Sequence, residues 1–460
     1  MNKPHQRIGH KSNTFVAKES TIDRVIHHWM HKQPACCLWG IIGLDEPLSD
    51  EIIEKTLEIL IDRVPIISAR LKKGLWSGYW EFVEPGDIKT LMTKKRASDA
   101  KEADRLLNEV IRNSIDADNP PVIRVTSIDL PDDHFFVLQV HHTVMDGEGA
   151  KQLFNLFAKI YRELENDPEW LPDNFPVMDR SWFQIAKYLK WHRFLIAPFI
   201  AFKEFVIIIY ILLNLRKIAS VIIGDFPEKN KGFVPENPQM ETFVINKNEM
   251  ETINFRLNRE GAKVNDLIMA ALMTTVNAWN SACGKRFSRV LSGYTVDLRR
   301  WWGQPEGKYA NMSAVCIALA NTEDLADVHK AIKTLKPKFD KAKKEFGLKE
   351  LWDVLSLKIQ PEVISRIAAF FVNRLVKITH ALTNIGIIPE SAGNFGRIKA
   401  RSYSMVAPFF PRPNLFFTAT SYKDDLTVHC NFNGTHMRAE TARNLMGQFK
   451  DNMLEFSRVS

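Results

Sequence analysis

Cysteine is scarce in this chain. The 460 residues hold only Cys36, Cys37, Cys283, Cys316 and Cys430. The count is odd and no pair has metal-ligand spacing, so neither a disulfide framework nor a cysteine metal site is expected, and a reducing compartment fits better. A bilayer-length apolar run is also missing. FVIIIYILLNL, at 205–215, is bounded by Glu204 and Arg216. As a helix it rises only about 17 Å against a hydrocarbon core of about 30 Å. The polar, basic start (MNKPHQRIGHKSNTF) has no apolar segment behind it and does not read as a secretory leader, so a cytoplasmic location is expected. There is no internal repeat and no low-complexity tract. Charge is near balance, with 62 basic minus 54 acidic residues giving +8. That excess permits an anionic ligand or surface and demands neither. Hydrophobic residues at 45% and charged residues at 25% exclude collagen, coiled coil and extended disorder. At about 100–200 residues per domain, the length suggests two or three domains or one large pseudo-symmetric unit.

What is present reads as two α/β halves. Ser49 or Asp50 caps a helix over EIIEKTLEILIDRV, and IISARLKK reads as the strand after it. Residues 100–114 form an amphipathic pattern. PVIRVTSIDL and HFFVLQVHH are extended runs separated by the turn-forming PDD. A helix follows over 149–165. Residues 166–180 look like a linker, 182–223 are strongly apolar, and 225–240 are loop-like. A second half then opens with strand ETFVI and helices from Asn248 and from Asn265 to Asn280. Strands VLSGYTVDL and SAVCIALA, a basic helix over 327–345, the hairpin NLFFTATSY–LTVHCNFN and a last helix from Glu440 complete it. The divisions drawn are 1–180, 181–240 and 241–460.

The most informative segment is His141-His142-Thr143-Val144-Met145-Asp146-Gly147, where an apolar strand ends and a helix begins. Side chains leave a sheet at strand ends and reach substrate there. A histidine titrates near neutrality and can take a proton from a hydroxyl or amine attacking a carbonyl. A lone histidine in such a place is more often structural. Two adjacent histidines on a strand point to opposite faces, so they do not share a metal, and none is expected. One should face a cleft and the other the core. Asp146 can fold back on the local turn, and Gly147 is expected to adopt a backbone angle forbidden to other residues.

HHTVMDG resembles the His-His-x-x-x-Asp-Gly signature of the chloramphenicol acetyltransferase-like superfamily, which includes peptide-synthetase condensation domains, polyketide-associated acyltransferases, plant alcohol acyltransferases and wax ester synthase/diacylglycerol acyltransferases. RVPIISARL at 63–71, VNDLIMAAL at 264–272, TVDLRR at 295–300, GKYANMSAV at 307–315 and NFGRI at 394–398 resemble further family segments in the right order. The likeness runs from about residue 20 to 456 and is nearest the wax ester synthase and polyketide-associated branches. It implies an α/β (α+β) fold of two chloramphenicol acetyltransferase-like halves, each a mixed sheet flanked by helices, arranged as a V. It also implies acyl transfer from a thioester directly to a hydroxyl or amine. His142 would be the general base and His141 a buried support. Asp146 would be structural and paired with Arg299, or alternatively Arg300. Thr295, Asn394 and Gly396 would contact substrate, with Thr295 and Asn394 as candidate oxyanion donors. NFGRI departs from the family's Asp-Phe-Gly-Trp-Gly. Asn265 and Asp266 read as an ordinary helix cap.

The resemblance implies no bound cofactor, with acyl-CoA or acyl-phosphopantetheine as co-substrate. The expected partners are that donor, a hydrophobic alcohol or amine acceptor, and a carrier protein or an anionic membrane surface. The chain lacks the Gly-Gly-x-Ser pattern of a fused carrier, which favours CoA. A condensation-type enzyme acting on carrier-bound substrates and a silent scaffold are the alternatives. The apolar stretch is flanked by Lys187, Lys190, Trp191, Arg193, Arg216 and Lys217. It reads either as a covered helix, in the core or over an acyl tunnel, or as a helix lying in a membrane interface with Phe205, Ile208 and Leu212 toward lipid. IAAFFVNRLVKITHAL at 367–382 is a second such candidate. The lysines of 329–348 read as a solvated helix face, so nucleic acid is not an expected partner.

Overall fold

The computed structural model describes residues 15–20, 35–72, 78–172, 180, 237–299, 309–345, 380–409 and 415–458, with isolated positions between 23 and 27 and between 199 and 219. In chain order the first elements are β1 (Phe15–Lys18), β2 (Cys37–Leu44), α1 (Asp50–Arg63), β3 (Ala69–Lys72), β4 (Tyr79–Phe82) and β5 (Met92–Arg96). Then come α2 (Ala100–Arg112), β6 (Ile123–Asp129), β7 (His134–His141) and α3 (Gly147–Asn166). The second part holds β8 (Ile218–Ala219), β9 (Pro238–Ile245), α4 (Lys247–Glu260), α5 (Val264–Ala282), β10 (Arg289–Asp297), β11 (Ser313–Asn321) and α6 (Val328–Glu345). It closes with β12 (His380–Ile387), β13 (Asn394–Phe395), β14 (Ile398–Val406), β15 (Leu415–Tyr422), β16 (Asp425–Asn433) and α7 (Ala439–Arg458).

Two mixed sheets form two lobes, as the sequence predicts. The first runs β13-β14-β2-β7-β6-β5, and the second β11-β10-β12-β15-β16-β9, with β8 beside β10. A small sheet, β1-β4-β3, accompanies the first lobe. Each large sheet has its own apolar core: Phe154, Phe157 and Leu153 of α3 pack in the first, and Leu267, Phe417 and Phe449 lie in the second. The local signals explain many element ends. Ser49 caps α1 by accepting from the Ile52 N–H. Asn246 and Glu249 make a reciprocal capping box on α4, and Gly261 ends that helix at φ +59. Asp266 accepts the Lys263 N–H at 2.9 Å, so its capping role holds from the third position of α5. Lys423 and Asp424 both have positive φ, the two-residue turn that matches strand twist in the terminal hairpin.

Three expectations need correction. Pro65–Ser68 is a single turn of 3-10 helix, so IISARLKK is extended only over Ala69–Lys72; proline fixes φ at a value suited to a helix start. The end of IAAFFVNRLVKITHAL is strand, because His380–Leu382 open β12; its residues 367–379 lie outside the described residues. The division at 240/241 does not separate the sheets. Strand β14, from the C-terminal part, pairs antiparallel with β2 and completes the first sheet, while the flanking β12 and β15 belong to the second. The chain thus crosses between lobes and returns, which ties them together.

Candidate active site

The motif begins where β7, an interior strand of the first sheet, ends. His141, its last residue, pairs with Cys37 of β2 and is fully buried. Its Nδ1 accepts the Thr143 N–H at 3.2 Å and lies 3.0 Å from the Thr143 hydroxyl. An amide donor at Nδ1 puts the ring proton on Nε2. His142, one residue past the end of β7 in the turn that follows, is half-buried. Its N–H donates to Cys36 O at 3.0 Å. Burial pushes the His142 imidazole below its usual value. Its own backbone, the Asp146 charge, the Asn311 side chain and the Met145 backbone pull it back up only in part. The ring is therefore neutral at pH 7, the form that accepts a proton.

Asp146 is buried. It caps α3, accepting the Gly149 N–H at 3.0 Å. Arg299 donates to it through both terminal nitrogens, at 3.0 Å and 2.9 Å, the two-pronged geometry that suits a carboxylate. Met312 N–H at 2.7 Å and Ser313 hydroxyl at 2.8 Å complete its shell. Burial alone would raise the Asp146 carboxyl, but Arg299 and the amides of Gly149 and Met312 hold it below the ordinary aspartate value. Arg299 also bonds Asp297 at 3.0 Å and Ala310 O at 2.7 Å. Asp297 is pushed up instead, by burial outweighing Arg299 and by the neighbouring Asp146 charge. The pairing of Asp146 with Arg299 is the one the resemblance implies. Arg300 lies outside the described residues. Since Asp146 is on the first lobe and Arg299 follows β10 on the second, this ion pair clamps the lobes beneath the histidines.

A second buried pair, which nothing local in the sequence marks, sits beside the first. Arg180 grips Asp23 at 2.9 and 2.7 Å and donates to Val144 O at 2.8 Å and Tyr309 O at 2.6 Å. Its guanidinium lies 5.4 Å from the Trp80 ring centroid. Asn311 links this pair to the motif, donating to Asp23 at 3.3 Å and to Thr143 O at 2.9 Å, and its side chain also bonds His142. Asn311 lies in YANMS, whose local sequence gives no sign of these contacts. Asp23 and Arg180 are 157 residues apart, and only the fold brings them together.

The glycine reading is also corrected. Gly147 is not among the glycines with positive φ. A Cβ there would meet Ile385 at an ordinary 3.4 Å. Gly149 is the constrained one: a Cβ would come within 2.9 Å of Met145 Cβ and 3.3 Å of Arg299 Nη2. We expect Gly149→Ala to destabilise the protein by about 1–3 kcal/mol, as overpacking does, and Gly147→Ala by less than about 1 kcal/mol. Thermal unfolding of the two variants side by side checks this; equal midpoints would contradict it.

The proposed substrate contacts fall elsewhere. Asn394 accepts the Gly396 N–H at 3.1 Å, closing a local turn. Gly396, at φ +90, lies against Glu165, which also takes the Arg397 N–H at 2.9 Å. Glu165 is eighteen residues beyond Gly147 on α3, about 27 Å at 1.5 Å per residue. NFGRI therefore braces the far end of α3, and Asn394 and Gly396 do not meet the histidines. Thr295 shares a 2.7 Å hydrogen bond with Thr383 across β10 and β12, which engages its hydroxyl within the sheet. Among the described residues no group of three or more His, Cys, Asp or Glu is placed to hold a metal. All five cysteines are free thiols, and burial pushes Cys37 up to about 11.

Comparison with known proteins agrees with this architecture. Residues 24–176 match the family described as "Condensation domain". Among solved structures, the chain is similar to the TRI3 trichothecene 15-O-acetyltransferase from Fusarium sporotrichioides, with TM-score 0.68, 12% identity and 94% of each chain covered. It is similar to the first condensation domain of the CDA synthetase, with TM-score 0.64, 13% identity and 97% of each chain covered. It is also similar to the starter condensation domain of rhizomide synthetase in complex with C8-CoA and Leu-SNAC, with TM-score 0.62, 12% identity and 99% and 97% coverage. No curated protein matches the chain. The chain has the two-lobed fold of these acetyltransferase and condensation-domain structures.

Proposed function

We propose that the chain is an acyltransferase that moves an acyl group from a thioester to a hydroxyl or amine of a hydrophobic acceptor. The observation that carries this is the asymmetry of the two histidines: His141 is buried with its Nδ1 held by Thr143 and Asp146 is buried in its ion pair, while His142 is half-buried and neutral. In the proposed step the acceptor's proton passes to His142 as its oxygen or nitrogen attacks the thioester carbonyl. The tetrahedral centre then collapses, the C–S bond breaks, and the proton returns to the leaving thiolate. Free thiol and acylated acceptor are the products, and no acyl-enzyme forms. The base supplies about 10²–10⁴-fold, and holding donor and acceptor together adds to it.

We favour acyl-CoA as donor, since a similar fold has been solved in complex with C8-CoA. The match to the condensation-domain family favours a second donor, an acyl group on a phosphopantetheine carrier. Incubating the protein with a panel of acyl-CoAs and lipid alcohols or amines should release free thiol only when acceptor is present. Turnover with acyl-carrier and none with acyl-CoA would assign the second donor. No thiol from either would remove the acyltransferase reading.

A further inference from the structure

Residues 199, 202, 206, 209, 210 and 213 are helical and carry Phe, Phe, Val, Ile, Tyr and Leu. All six are exposed: Phe199 by 74%, Phe202 by 68%, Val206 by 47%, Ile209 by 39%, Tyr210 by 38% and Leu213 by 80%. At 100° per residue the spacing of these six in the sequence falls within about 100° of helix circumference, the pattern of an apolar stripe. A covered helix, one of the two readings of this stretch, does not fit these residues. Phe205, Ile208 and Leu212, the set expected toward lipid, lie outside the described residues. An exposed apolar stripe of this length marks an interaction surface.

The charge around the stripe selects the partner. From Lys187 to Lys217 the sequence has Lys187, Lys190, Arg193, Lys203, Arg216 and Lys217 against one acid, Glu204. The second lobe adds more. Arg289 lies 5.1 Å from the centroid of the Tyr210 ring, and β8, just after the stripe, pairs with Arg289–Val290. The loop that delivers Arg289 exposes Lys285 and Arg286. Apolar side chains bordered by cations are what the boundary of an anionic bilayer accepts, apolar groups among the acyl chains and cations at the headgroup phosphates. The apolar run FVIIIYILLNL, bounded by Glu204 and Arg216, is too short to cross a bilayer as a helix, so the contact lies in the interface. We propose that the Phe199–Leu213 stripe and the Lys285–Arg289 loop together dock the protein on an anionic membrane surface.

Co-flotation of the purified full chain with vesicles tests this without reference to activity. The protein should float with phosphatidylcholine vesicles containing phosphatidylglycerol, stay down with phosphatidylcholine alone, and come off in high salt. F199S/F202S/L213S should lower the bound fraction about tenfold or more. K285E/R286E, changed only at exposed positions, should do the same by removing cation attraction. Circular dichroism establishes that both variants are folded. A wild-type protein that does not float at low salt overturns the proposal. So does a folded triple variant that floats like wild type. Concentration-dependent dimers that the triple variant abolishes, without vesicle binding, would assign the stripe to a second copy of the chain instead.

Discussion

His142→Ala lowers kcat by about 100-fold or more and leaves the thermal unfolding midpoint nearly unchanged. The side chain is half-buried and sits at the end of β7, outside the buried clamp that joins the lobes, so its loss removes a proton acceptor and little packing. The pH profile belongs to the same expectation. Burial depresses the His142 pKa below 6.5, so the base is in its neutral form at and above neutrality. Activity should rise with pH through a midpoint below 6.5 and then level off. The alanine variant should lose that limb along with the rate. Steady-state thiol release across pH measures both. Activity within about threefold of wild type, or an acid limb centred above pH 7, would remove His142 from the role.

Asp146→Asn should act through structure. The carboxylate holds Arg299 with two hydrogen bonds and accepts from Gly149, Met312 and Ser313 as well, and both members of the ion pair are buried. Removing the Asp146 charge takes from the buried Arg299 its two-pronged partner and leaves it the 3.0 Å contact with Asp297; breaking a buried pair costs about 3–5 kcal/mol. Because the partners come from different lobes, the loss should appear as a lower unfolding midpoint and as a shifted lobe arrangement that slows turnover. Arg299→Met should match it in direction. The double variant should lose less than the sum of the two, since it removes both charges at once. The Asp146 pKa lies below its ordinary 3.8, so the contribution is fully present above pH 4 and is lost as pH falls through the folded value. Unchanged stability with altered acceptor affinity alone would make Asp146 a substrate contact.

Much of this molecule was legible in the residues. Helices α1, α2 and α3 show apolar spacing, with Ser49 capping α1, and the terminal hairpin shows two β-rich runs across a tight turn. HHTVMDG located the candidate base because a histidine where a strand ends is readable from a short segment, although His142 itself lies in the turn after β7. Strand β2 escaped notice. CLWGIIGL lies at the centre of a sheet covered on both faces, so all eight residues are buried and no alternation appears. The apolar stretch announced a helix, but which of its sides stays uncovered depends on what packs against it.

The sequence by itself determined the elements that rest on local spacing, and the one motif whose chemistry is local. The tertiary structure alone decided the rest. It carried β14 from the second part of the chain into the first sheet, moved NFGRI about a helix length from the histidines, and joined Asp23 to Arg180 and Asp146 to Arg299. The reason is physical. A helix or hairpin is stabilised by neighbours a few residues away, whose pattern is written in order along the chain. A buried charge is stabilised only by a partner at about 3 Å, and which distant residue arrives there depends on how the two lobes close.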